Sequence, residues 1–235
     1  MLKNEIKDKL IRNGIYASDD ACGKLVVYMN GVLERNKDIN LTAITDEDRF
    51  ITEHIADSAS ILKVPGFDEA ESVCDVGTGA GFPGIVIAAL SPDKTVTMID
   101  SLAKRLKVID ELAEKAGIGN IRLIHARAED AGHMAEIRES FDLVTARAVA
   151  ALPVLAELCV PLVRKGGMFI AFKTGSSEDE VKESQHAADI LGVGEIDIQD
   201  AGVPGTDHVF VLMKKTGKSP EKYPRKAGDP RRNPL

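Results

Sequence analysis

The pattern of hydrophobic and polar positions in this 235-residue chain changes its period near residue 72. Before that point, apolar residues recur at spacings of three and four, which is typical of amphipathic helices. This spacing predicts one helix over residues 2–13 and a second that continues to about residue 36. Ser18 or Asp19 is expected to cap the second helix, because either side chain can accept from its first free backbone N–H groups.

A third helix is predicted from the capping-box spacing of Thr45 and Asp48. It carries His54, Asp57 and Ser58 beside its apolar stripe. These residue types invite comparison with a catalytic triad. The three lie on one short helix, however, rather than converging from separate elements around a nucleophile. We therefore expect them to fix this helix near a pocket.

From residue 72 onward, short apolar runs alternate with helical patterns. Such alternation is typical of a parallel sheet with helices on both faces. The last two runs are joined through a segment containing Gly202, Pro204 and Gly205, which suggests a closing hairpin with an antiparallel strand. The predicted strands are 72–75, 95–100, 121–125, 141–146, 168–172, 196–198 and 208–213.

A glycine-dense turn follows the first predicted strand, with the sequence Gly77-Thr78-Gly79-Ala80-Gly81-Phe82. Glycine allows positive φ and lacks a Cβ, so the backbone can come close to a ligand. The dinucleotide fingerprint requires glycine where this chain has Phe82, and the Gly-Lys-Ser/Thr end of a P-loop is absent. The spacing G-x-G-x-G, with Asp75 two positions earlier, looks like motif I of the class I S-adenosylmethionine (SAM) methyltransferases. Taken alone, the motif is equally compatible with a structural turn.

Asp100 ends the second predicted strand, 23 positions after Gly77. In nucleoside-binding α/β folds, a carboxylate about 20 residues beyond the glycine loop accepts hydrogen bonds from ribose hydroxyls. The alternative is an aspartate that only caps the next helix. The distance from the glycine loop favours the ribose role.

Composition excludes several classes of protein. No run of about 18 apolar residues suggests a membrane span, and the amino terminus is amphipathic rather than a signal peptide. The three cysteines lie far apart without a C-x-x-C motif, and the five histidines are scattered. We therefore expect reduced thiols in a cytoplasmic protein, with neither a disulfide framework nor a metal site.

The charge is unevenly distributed along the chain. Residues 214–235 contain eight basic and two acidic side chains, a net charge of +6, so the rest of the chain contributes −13 to the total of −7. A basic tail on an acidic body indicates interaction with a polyanion. A solvated tail that only aids solubility remains the alternative from charge alone.

Several stretches together carry a resemblance to one family. They are Asn40-Leu41-Thr42, His54-x-x-Asp57-Ser58, Asp75 to Ile85, Asp100-Ser101-Leu102-x-Lys104-Arg105, Arg147-Ala148 and Lys222-Tyr223-Pro224-Arg225-Lys226-x-Gly228-x-Pro230. Over nearly its whole length, the chain resembles the bacterial 16S ribosomal RNA guanine-N7 methyltransferases, the RsmG or GidB family.

The resemblance implies an architecture, a cofactor and a reaction. The expected fold is α/β, a Rossmann-like class I SAM-dependent methyltransferase with a seven-stranded, mostly parallel sheet, an antiparallel last strand and an N-terminal helical extension. We divide the chain into this extension (1–66), a SAM-binding domain (67–215) and a basic tail (216–235). The implied reaction is methyl transfer from SAM to N7 of a specific guanine in 16S ribosomal RNA. The expected partner is 16S RNA or the 30S subunit. We expect the protein to be a monomer that binds neither a membrane nor a metal ion.

Particular residues receive roles through this resemblance. Cofactor binding is expected at Asp75, Gly77, Gly79, Phe82, Asp100, Ala128, Glu129 and Arg147. Catalytic roles are expected for Arg147 and Lys173, which follow adjacent strands and are placed to hold guanine O6 or a phosphate. The alternative for Arg147 is that it only orders the SAM pocket. RNA binding is expected at Lys222, Tyr223, Arg225, Lys226, Arg231 and Arg232, with Tyr223 stacking on a base.

Two other classes of function stay open at this point. A small-molecule methyltransferase would keep the SAM residues but have no use for the basic tail. A non-catalytic SAM- or nucleotide-binding module would bind the cofactor without transferring its methyl group. A Rossmann dehydrogenase is disfavoured by Phe82 at the position of the third glycine.

Overall fold

The computed structural model describes residues 1–175 and 177–235, and within these ranges seven strands form one sheet. The strands are β1 (Ser72–Val76), β2 (Thr95–Asp100), β3 (Ile121–His125), β4 (Phe141–Arg147), β5 (Val163–Thr174), β6 (Val193–Asp200) and β7 (His208–Lys215). Their order is β3-β2-β1-β4-β5-β7-β6. Strands β1 to β5 pair in parallel, whereas β7 runs antiparallel to both β5 and β6. The expected parallel sheet with a closing antiparallel hairpin is confirmed.

The helices surround this sheet. They are α1 (Leu2–Arg12), α2 (Asp19–Arg35), α3 (Glu47–Phe50), α4 (Asp57–Ala59), α5 (Gly84–Leu90), α6 (Ala103–Ala116), α7 (Ala128–Ala131), α8 (Leu152–Cys159), α9 (Glu178–Leu191) and α10 (Asp229–Arg232). A π-helical turn, Ile51–Ala56, joins α3 to α4. Short 3-10 turns follow α4 and α8, at Ser60–Lys63 and Val160–Leu162.

The cap of α2 agrees with the sequence, whereas the cap of α3 does not. Ser18 accepts from the backbone N–H of Ala21 at 3.1 Å, as one of the two expected caps. The predicted capping box of Thr45 and Asp48 is wrong, because α3 is capped by Asp46, which accepts from the Arg49 N–H at 2.9 Å. The helix starts one residue later than the capping-box spacing predicted, so the cap is the Asp46 carboxylate rather than the Thr45 hydroxyl.

Strand β5 begins five residues earlier than predicted, at Val163 rather than Met168. In the sequence, the pair Gly166-Gly167 is also typical of the end of a helix. In the structure these glycines lie inside the strand, beside an irregularity in its pairing with β4. A Cβ on Gly167 would lie 2.5 Å from the carbonyl oxygen of Asp142. The glycine is therefore needed because two backbones approach closely at this irregularity.

Two apolar cores lie on opposite faces of the sheet. Val73 of β1 belongs to the first core, which α1, α2, α5 and α6 cover, and Cys74 and Val76 belong to the second, beneath α8 and α9. Ile6 and Leu25 of the N-terminal helices share the first core with Val73. The N-terminal extension thus packs directly on the main domain, and the division at residue 66 stays a prediction.

The C-terminal segment after β7 is packed against the second core. The Tyr223 side chain is 6% exposed and belongs to that core. Arg225 forms two side-chain hydrogen bonds with Glu157 of α8, at 2.9 and 2.6 Å, and Glu157 is fully buried. Tyr223 is therefore buried, and the Arg225 guanidinium, with 28% of its side chain exposed, is held by a protein carboxylate. The expected RNA contacts of both residues stay predictions.

The structure also bears on membrane spans, metal sites and cysteines. Between residues 1 and 175 and from 177 onward, no helix has the length and apolar character needed to cross a membrane. No group of three or more His, Cys, Asp or Glu side chains in those ranges is arranged to hold a metal ion. Cys22, Cys74 and Cys159 are buried and free.

Candidate cofactor and acceptor site

The glycine loop lies at the carboxyl end of β1, between α5 and the neighbouring strand β4. Gly77 has φ +73° and its N–H donates to the carbonyl of Ile99 at 2.8 Å. A Cβ on Gly77 would lie 2.6 Å from Cγ2 of Val149. The loop conformation and the close approach of Val149 therefore both require glycine at this position.

Asp75 supports the loop from within the protein. Its Oδ2 accepts from the Thr78 hydroxyl at 2.6 Å and from the Gly84 N–H at 2.9 Å, while its Oδ1 has no hydrogen-bond partner among the described residues. Burial penalises the charged form and raises the pKa of Asp75 to about 6. Asp75 does not line the adjacent cavities. In this structure it shapes the loop that faces them.

Asp100 joins the loop to the end of β2. Its Oδ2 accepts from the Gly79 N–H at 3.0 Å, and its Oδ1 accepts from the Leu102 N–H at 2.9 Å. The carboxylate thus makes the helix-start contact that was its alternative role, and it also faces a cavity. Because an ionised carboxylate has about four acceptor positions, each oxygen can still receive a ribose hydroxyl.

Two adjoining cavities share Gly77, Arg105 and Ala148 in their walls. We call one the ribose-side cavity; its volume is about 480 Å³, and Asp100, Ala128 and Glu129 line it. We call the other the Arg147 cavity; its volume is about 580 Å³, and Gly79, Phe82, Arg147 and Lys173 line it. Seven of the eight expected cofactor residues therefore lie in the walls of one cavity or the other. These volumes, the glycine cradle and the Asp100 acceptors fit an adenosine with an extended substituent.

Arg147, the last residue of β4, is held rigidly by the helical segment before α4. Its Nη1 donates to the Glu53 carbonyl and to Asp57 Oδ2, both at 3.0 Å. Its Nη2 donates to Nδ1 of His54 at 3.1 Å. Three of the five guanidinium N–H groups thus have partners within the described ranges. The remaining Nε–H and Nη2–H are available to a ligand in the Arg147 cavity.

His54 is neutral and has a defined tautomer in this arrangement. Since Arg147 can only donate, the Nδ1 atom of His54 accepts, and Nε2–H donates to the Thr42 hydroxyl at 2.7 Å. Burial, followed by the charge of Arg147, lowers the pKa of His54 to about 4. The imidazole also stacks on Phe82, with ring centroids 4.9 Å apart and planes 8° apart. The His54-Asp57 pair therefore orders Arg147 and Phe82, as expected for residues that fix a helix near a pocket.

His208 is the third member of a group that also contains Arg147 and Asp57. The sequence interpretation did not identify it. Its Nδ1–H donates to Asp57 Oδ1 at 2.6 Å. This hydrogen bond raises the pKa of His208, and the Asp57 charge adds to the effect while burial opposes it. His208 begins β7 opposite Thr174, the last residue of β5. The predicted antiparallel hairpin contained the signal, because an antiparallel strand starts at the edge where its parallel neighbours end.

Lys173 reaches the same cavity from the end of β5. Its Nζ donates to Glu180 Oε2 at 2.5 Å and to the Ala150 carbonyl at 3.2 Å. Glu180 of α9 also accepts from the Leu152 N–H, at 2.8 Å. This carboxylate was not identified from the sequence. One of the three ammonium N–H groups of Lys173 is without a partner in the ranges that the structure describes.

The six expected RNA-binding residues occupy different environments. Lys222, Lys226, Arg231 and Arg232 are exposed, whereas Tyr223 and Arg225 are turned inward as described above. Arg231 lines the ribose-side cavity together with Gly228. The Gly228 N–H donates to Glu129 Oε1 at 3.2 Å. The tail is therefore part of the cavity wall, a position that charge alone did not indicate.

The sheet order and the position of the cavities at the carboxyl ends of β1, β2 and β4 define the fold of a class I SAM-dependent methyltransferase. The crystal structure of the SAM-dependent methyltransferase SibL in its apo form has the same fold, with a TM-score of 0.57 and 15% identity, over 84% of this chain and 70% of that one. The family model of GidB, rRNA small subunit methyltransferase G, matches residues 21–207, and the chain belongs to this family.

Curated relatives match nearly the whole chain. The ribosomal RNA small subunit methyltransferase G of Lactobacillus johnsonii is 41% identical over 97% of this chain and 97% of its own length. That of Clostridium botulinum is 42% identical over 94% of each chain. The fold and the family both imply S-adenosylmethionine as cofactor. The resemblance seen in the sequence and the expected fold class are thereby confirmed.

Proposed function

We propose that this protein transfers a methyl group from SAM to N7 of one guanine in 16S ribosomal RNA. The observation that carries the proposal is that the two cavities adjoin and share Gly77, Arg105 and Ala148 in their walls. The ribose-side cavity, with Asp100 in its wall, adjoins the Arg147 cavity along Gly77. Gly77 and Asp100 would hold the nucleoside part of SAM in the first cavity, and Arg147 has two guanidinium N–H groups for an acceptor in the second.

The chemistry of the acceptor removes the need for a general base. SAM, when bound, supplies a methyl group on a positively charged sulfur. Guanine N7 carries a lone pair and no proton, so attack on this methyl group is a one-step displacement. The protein then contributes chiefly by orientation, which is worth roughly 7–11 kcal/mol in favourable cases. His54 contributes to this orientation and not to proton transfer, because its two ring nitrogens are hydrogen-bonded to Arg147 and to Thr42.

Arg147 is the best candidate to orient the guanine. Its free N–H groups can donate to O6, the acceptor next to N7 on the major-groove edge of the base. Lys173 lines the same cavity, and its remaining N–H is suited to a phosphate or to O6. Asp57 and His208 do not touch the substrate in this proposal. They are positioning residues that hold Arg147 through the Asp57 carboxylate.

The charge distribution favours an assembled substrate. The body of the chain has a net charge of −13, and its exposed basic residues are scattered, whereas those of the C-terminal segment lie close together in the sequence. Naked RNA would meet repulsion over most of the surface. We therefore propose that the 30S subunit, where RNA shape and ribosomal proteins add to recognition, is the better substrate. We further propose that the enzyme acts as a monomer in the cytoplasm, where its buried free thiols stay reduced.

The test is methyl transfer from labelled SAM to naked 16S RNA and to 30S subunits prepared without the modification. We expect label in 16S RNA, with the subunits labelled faster. Arg147→Ala should reduce kcat/KM at least about 100-fold, since it removes a group that fixes the acceptor. Arg164→Ala is the matched control, because it also removes an ion-paired arginine but lies at the start of β5, away from both cavities.

The alternatives give different results. Tight SAM binding without transfer to either RNA substrate would favour a small-molecule methyltransferase or a binding module. Unchanged SAM affinity and unchanged transfer by Arg147→Ala would exclude both of its proposed roles. Reduced SAM affinity with a normal rate at saturating SAM would restrict Arg147 to ordering the cofactor pocket. Light scattering of the active sample measures the oligomeric state and so tests the proposed monomer.

A further inference from the structure

The C-terminal segment forms one wall of the ribose-side cavity. Gly228 and Arg231 line this cavity together with Asp100, at the end of β2, and Glu129 of α7. Arg231 was expected to bind RNA because it belongs to a basic tail. Its position beside the cofactor residues points to another role.

The segment is held in place by partly buried contacts from Tyr223 to Arg225. Arg138 donates to the carbonyl of Tyr223 at 2.8 Å, and His133 Nε2–H donates to that of Pro224 at 2.7 Å. The Arg225 guanidinium meets the fully buried carboxylate of Glu157. A charge-assisted, bidentate contact to a buried carboxylate fixes a chain in one geometry. The chain beyond Arg225 therefore starts from a fixed point next to the cavity.

Two further contacts tie this segment to residues of the cofactor site. The Gly228 N–H donates to Oε1 of Glu129 at 3.2 Å. Arg231 Nη2 donates to the carbonyl of Val149 at 3.0 Å. Val149 is the residue whose side chain approaches Gly77 and requires glycine there. The tail thus contacts both the Glu129 end and the glycine-loop end of the same cavity.

We propose that Arg231 is a cofactor-binding residue whose guanidinium covers the adenine ring of SAM in the ribose-side cavity. A guanidinium is planar and stacks on aromatic faces, whereas an ammonium is a compact charge. The hydrogen bond from Nη2 to the Val149 carbonyl holds the guanidinium at the cavity edge. The Gly228 contact leaves the second oxygen of Glu129 for the exocyclic amine of adenine. This inference rests on the proposed use of SAM and adds a residue to its site.

The test is the affinity for SAM and for its product S-adenosylhomocysteine, measured by calorimetry on the full chain without RNA. Arg231→Ala should weaken both affinities about 3- to 30-fold, the range from an exposed to a desolvated cation–π contact. Arg231→Lys should weaken them as well, because the ammonium lacks the stacking plane. Arg232→Ala is the matched control for cofactor affinity. Its side chain is 72% exposed, pairs with Asp229 and does not line the cavity.

The possible outcomes separate this inference from the proposed function. Equal SAM affinities for the wild type, Arg231→Ala and Arg232→Ala would overturn the inference and leave the proposed function intact. Full affinity in Arg231→Lys would overturn the stacking contact. A wild-type chain that binds neither SAM nor its product would overturn the proposed function, and the inference with it. Because Arg231 is exposed at the cavity rim, its substitution is not expected to disturb folding.

Discussion

The Nδ1 atom of His208 lies 2.6 Å from Oδ1 of Asp57, and the other oxygen of Asp57 accepts from Arg147 at 3.0 Å. One buried carboxylate therefore holds an arginine from β4 and a histidine from β7. Removing one partner of such a pair changes the charge balance around the other. The position of Arg147 in the Arg147 cavity consequently depends on His208, which lies 61 positions later in the sequence.

The pairing of His208 with Asp57 predicts a pH-dependent contribution to stability. The pKa of His208 is raised above its ordinary value of 6.5. The pair therefore stabilises the fold fully below pH 6.5 and loses this contribution as pH rises through the folded pKa. We expect the difference in unfolding free energy between the wild type and His208→Gln to shrink as pH rises.

Urea titrations at several pH values measure this difference. His54 acts with the opposite sign, since its pKa is lowered to about 4 and its contribution is lost as pH falls from 6.5 toward that value. Its effect cancels in the comparison of the two chains. A pH-independent difference, or a His208 pKa at or below 6.5 by NMR titration, would contradict the pairing.

The ion pair of Arg225 with Glu157 predicts a large loss of stability when it is broken. Arg225→Ala leaves a fully buried carboxylate without its charged partner. We expect a loss of about 3–5 kcal/mol in unfolding free energy. Denaturant unfolding provides the measurement, and Lys218→Ala, an exposed cation of the same segment, should change stability by less than about 0.5 kcal/mol. Equal, small effects of both variants would show that Arg225 does not anchor the segment.

The close approach at Gly77 predicts a selective loss of cofactor binding. Gly77→Ala places a Cβ in a backbone with φ +73° and 2.6 Å from a Val149 methyl group. We expect SAM affinity to fall at least about 10-fold, because the loop must shift. Gly23→Ala in α2 is the control, since a Cβ there meets no atom within 4 Å. It should leave SAM affinity unchanged and raise stability by about 0.5–1 kcal/mol.

The exposed basic residues of the C-terminal segment predict the salt dependence of RNA binding. Deleting residues 216–235 would also expose the core, because Tyr223 is buried. Replacing Lys222, Lys226 and Arg232 by uncharged residues is the cleaner test. If each residue contacts one phosphate, the triple variant should lower the slope of log K against log salt by about 2–3. An unchanged slope would assign RNA binding to another surface.

The sequence contained the order of the elements because apolar runs and glycine turns are local signals. The glycine loop at residues 77–81 and the strand-end positions of Asp100, Arg147 and Lys173 follow from that order, since parallel strands end at one edge. Their roles in binding and catalysis stay predictions. The bounds of β5 were less predictable, because a glycine pair such as Gly166-Gly167 is compatible both with the end of a helix and with an irregular strand.

The partners of charged residues could not be predicted in the same way. Glu157 and Arg225 are 68 positions apart, and neither residue shows locally that the other neutralises it. Counting charges therefore assigned Arg225 to RNA. Tyr223 was assigned to stacking for the same reason, although its ring completes the second core. His208 and Glu180 reach the Arg147 cavity through the antiparallel hairpin and α9, and their distance from the glycine loop hid them.

The most direct test of the proposed reaction is the identity of the methylated atom. After transfer of label from SAM to 30S subunits that lack the modification, the 16S RNA is treated with the chemistry that cleaves the chain at N7-methylguanine. We predict one cleavage, at a single guanine that carries the label, and none after reaction with Arg147→Ala. Label that remains in uncleaved RNA, or that spreads over many guanines, would contradict specific transfer to one N7.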